Sequence, residues 1–408
     1  MDKNKRLHRN LVETTVWALT EIFEHNAYAD KVVSLALKRD KRWGSHDRKF
    51  VAETIYDIVR WKRLYAAIAD INEPKGRENW YRILAVWATL RGYPLPDWPV
   101  FDNTPQRRIK GRFDEFSKNR ILRESIPDWM DELCVKELGE ELWEKEIAAQ
   151  NQLAEVILRT NPLKAQINDV QKTLETDSIT TQKLKGLPFA LKLEQRANVF
   201  MTQAFKDGLF EVQDANSQKV AALLDVKPGM KVIDACAGAG GKTLHLASLM
   251  ENKGQLIALD IYEHKLQQLK LRARRNGAHN IECRVISDSK VIKRLAEKAD
   301  RLLIDAPCSG LGVLKRNPDS KWKLQPDFVT QIKNTQREIL ESYSKMVKPG
   351  GQMVYATCSI LPSENKEQVN HFLTTEVGKN FSFIKDYQYF AHDSGYDGFY
   401  MALLERKQ

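Results

Sequence analysis

From Leu11 to Ile71 the apolar residues return at helical spacing: Leu11, Val16, Leu19, Ile22 and Phe23, then Phe50, Val51, Ile55, Ile58, Val59 and Trp61. Recurrence every three or four residues gives each helix one apolar face, so this part predicts a helical bundle. Between Gly92 and Pro105 the pattern stops. Pro94, Pro96, Pro99 and Pro105 stand there, and proline supplies no backbone donor, so a loop or hinge is expected. Val156 to Lys164 reads as a strand entering a turn, and a helix is expected around Asp169 to Glu175, making the segment to Asp214 a small α+β unit. From Ser217 the rhythm becomes strand, tight loop, helix, strand. Strands are expected at Lys231–Ala235, Gln255–Leu259, Glu282–Ile286, Arg301–Ile304 and Gln352–Ala356, and the clearest helix, Glu263 to Arg275, stops at Asn276-Gly277. Such alternation predicts a parallel sheet with crossover helices.

Composition narrows the class. At about 100–200 residues per domain, 408 residues argue for two or three folded units. Hydrophobic residues at 42% and charged residues at 29% exclude collagen-like, mostly disordered and disulfide-scaffold chains. A net charge of +10 biases the molecule toward polyanions. Seven basic residues crowd Arg107 to Arg123 (Arg107, Arg108, Lys110, Arg112, Lys118, Arg120, Arg123), although a charge run of this kind is most often a solvated helical face. No apolar run approaches the ~20 residues that span a bilayer, and Met1 to Asn10 leads into an amphipathic stretch instead of a signal-peptide core. The expectation is a cytoplasmic protein without a membrane partner. Its five cysteines (Cys134, Cys236, Cys283, Cys308, Cys358) are scattered without CxxC spacing, so reduced thiols are expected and neither a metal site nor a disulfide framework.

The densest chemical signal is Val232-Ile233-Asp234-Ala235-Cys236-Ala237-Gly238-Ala239-Gly240-Gly241-Lys242-Thr243. An apolar strand ends in an acid, and a loop with three glycines then opens a helix, where small residues and exposed N–H groups let a nucleotide-like ligand approach the backbone. Three readings fit: a dinucleotide site, a P-loop and an S-adenosylmethionine site. The P-loop has Gly241-Lys242-Thr243 and a strand ending in Asp305 in its favour, but Cys236 stands at the motif's first glycine. The dinucleotide motif G-x-G-x-x-G is not met, because Thr243 follows Gly238 and Gly240. Asp260 ends the next strand, where a carboxylate can accept hydrogen bonds from ribose hydroxyls, and Asp288 follows the third, within reach of an adenine edge. Either could instead cap a helix. Two further clusters, Asp305-Ala306-Pro307-Cys308-Ser309-Gly310 and Tyr355-Ala356-Thr357-Cys358-Ser359, each place a cysteine after a strand at the same sheet edge. Free cysteine is usually a small core hydrophobe, the reading taken for Cys134 and Cys283, but two thiols at one ligand site call for chemistry.

Gly-Gly-Lys-Thr, Asp-Ala-Pro-Cys-Ser-Gly and Thr-Cys-Ser, in that order, resemble the Sun/RsmB family of RNA (cytosine-5)-methyltransferases, most closely its RsmB-type 16S rRNA members, over essentially the whole chain. Asp47 to Tyr56 and Val59-Arg60-Trp61 resemble the family's NusB-like helical domain, and Leu158 to Lys164 the entry to its small RNA-binding subdomain. The resemblance implies an all-α NusB-like domain (1–145), a small α+β subdomain (150–215) and an α/β Rossmann-like S-adenosylmethionine-dependent methyltransferase domain (216–408). One departure stands out: the family's loop commonly reads Cys-Ala-Ala-Pro-Gly-Gly-Lys, whereas this chain has Gly238-Ala239-Gly240 and no proline. The loop's N–H pattern is expected to survive the greater freedom.

What the resemblance implies for chemistry is specific. Carbon 5 of cytosine is a weak nucleophile until a thiolate adds at carbon 6. The family assigns that attack to Cys358 and release of the methylated base to Cys308, with Asp305 hydrogen-bonding the base. Lys242 contacts either cofactor or base. S-adenosyl-L-methionine would lie against Cys236, Ala237, Gly238, Ala239, Gly240, Gly241, Lys242, Asp260, Asp288 and Asp305. The implied partner is RNA, small-subunit ribosomal RNA first and transfer RNA as the alternative, with the chain acting as a monomer. Rival readings are a P-loop NTPase and a non-catalytic ribosome-assembly factor. Three basic patches could hold the RNA: Arg107 to Arg123; the helix with Lys265, Lys270, Arg272, Arg274 and Arg275; and Lys315, Arg316, Lys321, Trp322 and Lys323, where an aromatic sits among cations just after a catalytic loop.

Overall fold

The computed structural model describes residues 5–102 and 104–408. Among these the chain divides into two units, Met1–Gln152 with Leu314–Pro326, and Leu153–Val313 with Asp327–Gln408. No helix among the described residues is long and apolar enough to cross a membrane.

In the first unit the apolar stripes become helices Arg9–Phe23, Ala29–Ala36, Ser45–Arg60, Lys62–Ile68 and Gly76–Leu90, followed by Gln106–Phe116, Arg120–Arg123, Asp128–Leu138 and Glu140–Gln150. Leu11, Val16, Leu19, Ile55, Ile58 and Val59 meet in one core around Trp80, whose indole N–H donates to Glu24 at 2.7 Å. The Asp47-Arg48 pair is structural here. Asp47 accepts the Gly44 N–H at 3.2 Å and closes the first turn of Ser45–Arg60, while Arg48 donates to the Leu37 and Trp43 carbonyls. The proline-rich stretch is a loop with one short turn, Pro99–Phe101, that buries Phe101 against Tyr81. Within the basic run, Arg112 donates to the Ile68 carbonyl, Arg120 pairs with Asp131 and Glu140, and Arg123 pairs with Glu124 and Glu144. Arg107, Arg108, Lys110 and Lys118 are exposed.

The segment Leu314–Pro326 belongs to this helical unit, and the burial of Lys315 and Lys321 takes these two cations out of the RNA-facing patch expected at Lys315 to Lys323. Lys321 is fully buried, and its ammonium donates to the carbonyls of Arg60 (2.8 Å) and Glu124 (3.2 Å) and to Asn151 Oδ1 (3.1 Å). Trp322 packs on the helical core with its N–H on the Val59 carbonyl at 2.7 Å. Lys323 donates to the carbonyls of Asn26 and Ala27, and Asp319 accepts the Ala29 N–H at 3.0 Å. A buried ammonium whose three N–H groups are all met inside the protein has no donor to present to a phosphate. The aromatic-among-cations pattern here is an anchor for the segment.

The second unit holds two sheets. β1 (Ile157–Thr160), β2 (Thr181–Lys183), β3 (Ala190–Leu193) and β4 (Phe210–Val212) form an antiparallel sheet in the order β2-β3-β1-β4, over which helix Ile167–Thr176 lays Val170 and Leu174. The larger sheet contains β5 (Lys231–Asp234), β6 (Gln255–Asp260), β7 (Ile281–Val285), β8 (Ala299–Asp305), β9 (Val347–Thr357), β10 (Phe381–Tyr389) and β11 (Phe399–Arg406), ordered β10-β11-β9-β8-β5-β6-β7. Five strands from β7 to β9 run parallel, as expected, and β10 and β11 add an antiparallel edge. That edge was absent from the sequence expectation, because β10 exposes most of its residues and lacks a clean alternation. Helix Glu263–Asn276 ends on Gly277 in the left-handed conformation, as the Asn-Gly signal predicts.

Candidate active site

β5, β8 and β9 are neighbours, and the three chemical motifs leave their carboxyl ends. The chain runs outward from β5 in both directions, through β6 on one side and β8 on the other, so these loops open at the topological switch point where an α/β sheet binds its ligand. Sheet order therefore brings together the glycine loop, Asp305 to Gly310, and Thr357 to Ser359, although they lie far apart in sequence.

The two sulfur atoms, Cys308 Sγ and Cys358 Sγ, are 3.4 Å apart. Backbone bonds from Ala306 N to the Ala356 carbonyl (2.8 Å) and from Gly312 N to the Cys358 carbonyl (2.9 Å) lace their loops together. Gly312 is required for that approach, since a Cβ there would lie 2.2 Å from the Gly398 carbonyl oxygen and 2.8 Å from that of Cys358. The Cys308 thiol is pushed well above its ordinary pKa by its hydrogen bond with Cys358 and by burial, with the Cys358 and Glu364 charges adding to the effect, so it stays protonated at neutral pH. Lys242 Nζ is 2.7 Å from Asp305 Oδ2 and lies over the Phe399 ring at 4.8 Å. Burial would lower the Lys242 pKa, but Asp305 and the nearby Cys358 outweigh it and the net direction is upward. The ammonium thus has both a carboxylate and a thiol for neighbours.

These partners also bear on the P-loop reading. In that motif the lysine and threonine serve phosphate and magnesium. Here Lys242 is committed to Asp305, and the buried Thr243 hydroxyl donates to Asp234 Oδ2 at 2.7 Å. Sheet order, paired thiols and these commitments describe a methyltransferase site.

Comparison with known proteins agrees. The family model "16S rRNA methyltransferase RsmB/F" matches residues 221–405, and an associated ferredoxin-like domain model matches 126–200. A Synechocystis protein named "Probable ribosomal RNA small subunit methyltransferase B" is 31% identical, with 87% of each chain covered. The Proteus mirabilis protein named "Ribosomal RNA small subunit methyltransferase B" is 34% identical, covering 71% of this chain and 68% of the other. The chain belongs to the RsmB/F methyltransferase family. A crystal structure of the protein PH0851 superposes with a TM-score of 0.81 at 27% identity, covering 98% of this chain and 99% of that one.

An RsmB/F enzyme uses S-adenosylmethionine, and the residues at β5 and β6 fit that group. Asp234 is buried at the end of β5, and its Oδ1 has no hydrogen-bond partner, an acceptor suited to an ammonium. Burial pushes its carboxyl up to about 7, against the lowering pull of the Thr243 hydroxyl. Gly238 and Gly241 border open space, since a Cβ on either would meet nothing within 4 Å. Gly240 instead packs against Leu269 with φ +90°, leaving no room for a side chain. Asp260 accepts the Gly238 N–H (2.8 Å) and the Tyr262 N–H (2.8 Å), which holds its carboxylate rigid with lone pairs left for hydroxyls. The loop's N–H pattern is therefore partly used internally: Gly238 serves Asp260, and Ala237 and Gly240 donate to the Leu259 and Ala237 carbonyls. Cys236 is a thiol whose pKa burial drives well above the ordinary value. Asp288 is exposed and caps the short helix Ser289–Lys293 by accepting the Lys290 N–H at 2.7 Å.

Sequence reasoning left out the residues that hold the glycine loop from behind. Arg159 donates to the Gly241 carbonyl at 2.6 Å, and Arg272 donates to the Ala239 carbonyl at 2.7 Å, the position where the family commonly has proline. Glu211, almost fully buried, pairs with Arg272 (2.8 Å) and Arg275 and accepts from Asn276 (2.6 Å). Arg272 and Arg275, expected on an RNA-facing helix, are thus engaged within the unit. Two guanidiniums on two loop carbonyls supply rigidity that the missing proline would have given. Glu364 was also overlooked; a carboxylate six residues past Cys358, in Pro362-Ser363-Glu364-Asn365, was the available signal.

Proposed function

We propose that this chain methylates carbon 5 of a cytosine in small-subunit ribosomal RNA through a covalent adduct with Cys358. The observation that carries the reading is the pair of thiols 3.4 Å apart on adjacent loops, beside the Lys242–Asp305 ion pair. The names of the family and of its relatives support the RNA substrate.

Bound S-adenosylmethionine supplies an electrophilic methyl group. The chain does the rest. The Lys242 ammonium, a neighbour of Cys358, offsets the negative charge that the Cys358 sulfur carries as it adds and leaves. The Cys358 sulfur adds to carbon 6, forming the S–C6 bond and moving the C5=C6 electron pair toward carbon 5, which then takes the methyl. Asp305, held by Lys242, accepts hydrogen bonds from the base and offsets the charge that develops on its ring. Release needs the carbon 5 proton to pass to a water molecule and the S–C6 bond to break, returning its electrons to Cys358. Cys308, whose sulfur is 3.4 Å from that of Cys358, acts in this step as a thiol that hydrogen-bonds the departing thiolate. A base embedded in a stacked helix is out of reach of such thiols, so the target cytosine is unstacked or looped.

The test is incubation with labelled methyl donor and small-subunit ribosomal RNA. Wild type should form 5-methylcytosine, Cys358→Ala should lose turnover by at least about a thousandfold, and Cys308→Ala should accumulate an RNA–protein adduct that survives denaturation. Normal turnover by Cys358→Ala would refute the assignment.

A further inference from the structure

Glu364 is fully buried and sits where the two cysteine loops meet. Its carboxylate accepts from Ser309 N (2.8 Å), Ser309 Oγ (2.5 Å), Ser359 Oγ (2.7 Å) and Gln336 Nε2 (3.1 Å). Ser309 follows Cys308 and Ser359 follows Cys358, so one carboxylate takes donors from the residue next to each thiol. The two hydroxyl oxygens lie 3.2 Å apart across it. Around it, Tyr355 donates its hydroxyl to the Glu364 carbonyl at 2.8 Å, and Asn365 accepts from Thr357 (2.5 Å) and donates to the Ser359 carbonyl (2.9 Å).

We infer that Glu364 is the positioning residue that sets the spacing of the two thiols, acting through Ser309 and Ser359. Taking a carboxylate out of water is costly unless donors replace the water, and this one has four. An apolar side chain would fill the same volume without that penalty, but it could not bind two separate turns at once. Each cysteine follows a strand end as part of a turn, and turns fixed only by their own backbone drift. Charge-assisted hydrogen bonds from a common anchor remove that freedom, so the sulfur separation becomes a property of the fold. Glu364 also sits among the charges that hold Cys308 in its thiol form. The assignment rests on the two-thiol reading above for its purpose, but its geometry can be tested without RNA or methyl donor.

Phenylarsine oxide is a suitable probe, because its trivalent arsenic condenses with two thiols held a few ångströms apart: two S–As bonds form, and the two thiol protons leave with the oxide oxygen as water. The full-length protein should bind it one-to-one, and Cys308→Ala should abolish the high-affinity complex. Glu364→Gln should weaken binding by about tenfold or more, and Ser359→Ala by a smaller factor, with S-adenosylmethionine affinity held within about twofold of wild type. Ser359→Ala decides the matter should the Gln variant fail to fold, since it removes one hydroxyl and leaves the anchor in place. In RNA turnover, Glu364→Gln should lower kcat with KM unchanged. Failure of the wild type to chelate the probe, or unchanged affinity in both Glu364→Gln and Ser359→Ala, overturns the inference. Weakened chelation beside a fully active Cys358→Ala would instead keep the anchor and discard the adduct chemistry.

Discussion

Lys242, in the glycine loop after β5, and Lys321, in the segment that follows the Asp305-to-Gly310 loop in sequence, are both largely withdrawn from water, and their partners differ in kind. Lys242 faces a carboxylate, Asp305, at 2.7 Å and keeps its charge. Lys321 faces three uncharged oxygens, from Arg60, Glu124 and Asn151. Burial and the neighbouring Arg60 press its pKa well below the ordinary value, with Glu124 opposing. Each lysine stands in the first turn of a helix that follows one of the sequence motifs. One is held by a counter-charge in the loop cluster that carries the two thiols, and the other spends all its donors tying a chain segment to a helical core. The lesson is that a lysine's neighbours in space, and above all whether an anion is among them, separate chemistry from architecture.

Replacing each lysine by methionine should break the comparison in opposite directions. Lys321→Met takes the ammonium donor from the Arg60 carbonyl and Asn151 Oδ1 and leaves the Glu124 carbonyl only its bond from Asn151 Nδ2, so it is expected to destabilise the helical unit by about 3–5 kcal/mol, read as a lowered midpoint in thermal or urea unfolding. Lys242→Met should leave the unfolding midpoint near wild type and cut methyl transfer by about a hundredfold or more, the scale for losing one preorganised charge in a reaction site. If Lys242→Met unfolds the protein and Lys321→Met does not, the division is reversed.

What could be read from the chain depended on how local each signal was. The strand that ends in Asp234, the glycines after it, Asp260 at the next strand end and the helix stop at Asn276-Gly277 are short-range patterns, and each appears in the structure where it was expected. The proximity of Cys308 and Cys358 followed from parallel-sheet topology, since β8 and β9 are neighbours. Lys321 was misread because its acceptors lie up to 261 positions away in sequence. Glu211, Arg159 and Glu364 were missed for a related reason: a buried charged residue looks like a surface one until its distant partners are known. The β10–β11 edge escaped because one of its strands faces solvent along most of its length.

The brace behind the glycine loop sharpens the contrast at a second ion-pair cluster. Glu211 is expected to act on the methyl donor indirectly, by orienting Arg272 toward the Ala239 carbonyl. Glu211→Gln keeps the shape and removes the charge, so S-adenosylmethionine affinity, measured calorimetrically, should fall by about tenfold and amide exchange in residues 237–242 should speed up. An unchanged affinity would mean that the loop holds its form without the proline or the guanidiniums.

Asp234 gives the smallest effect and a pH signature that the two lysines lack. Its folded-state carboxyl titrates at about 7 against 3.8 when unperturbed, because burial opposes the charge. Between those values the folded chain retains a proton that the unfolded chain has released, so this group's contribution to stability is greatest in acid and declines as pH rises through 4 toward 7. Binding should run the other way. A cationic ligand group beside the unpartnered Oδ1 favours the ionised form, so donor affinity should weaken as pH falls below about 7, by at most about tenfold per unit. Asp234→Asn cannot titrate. Its affinity should be lower at pH 8 and flat down to pH 5.5, and a slope that persists in the Asn variant would move the titrating group elsewhere.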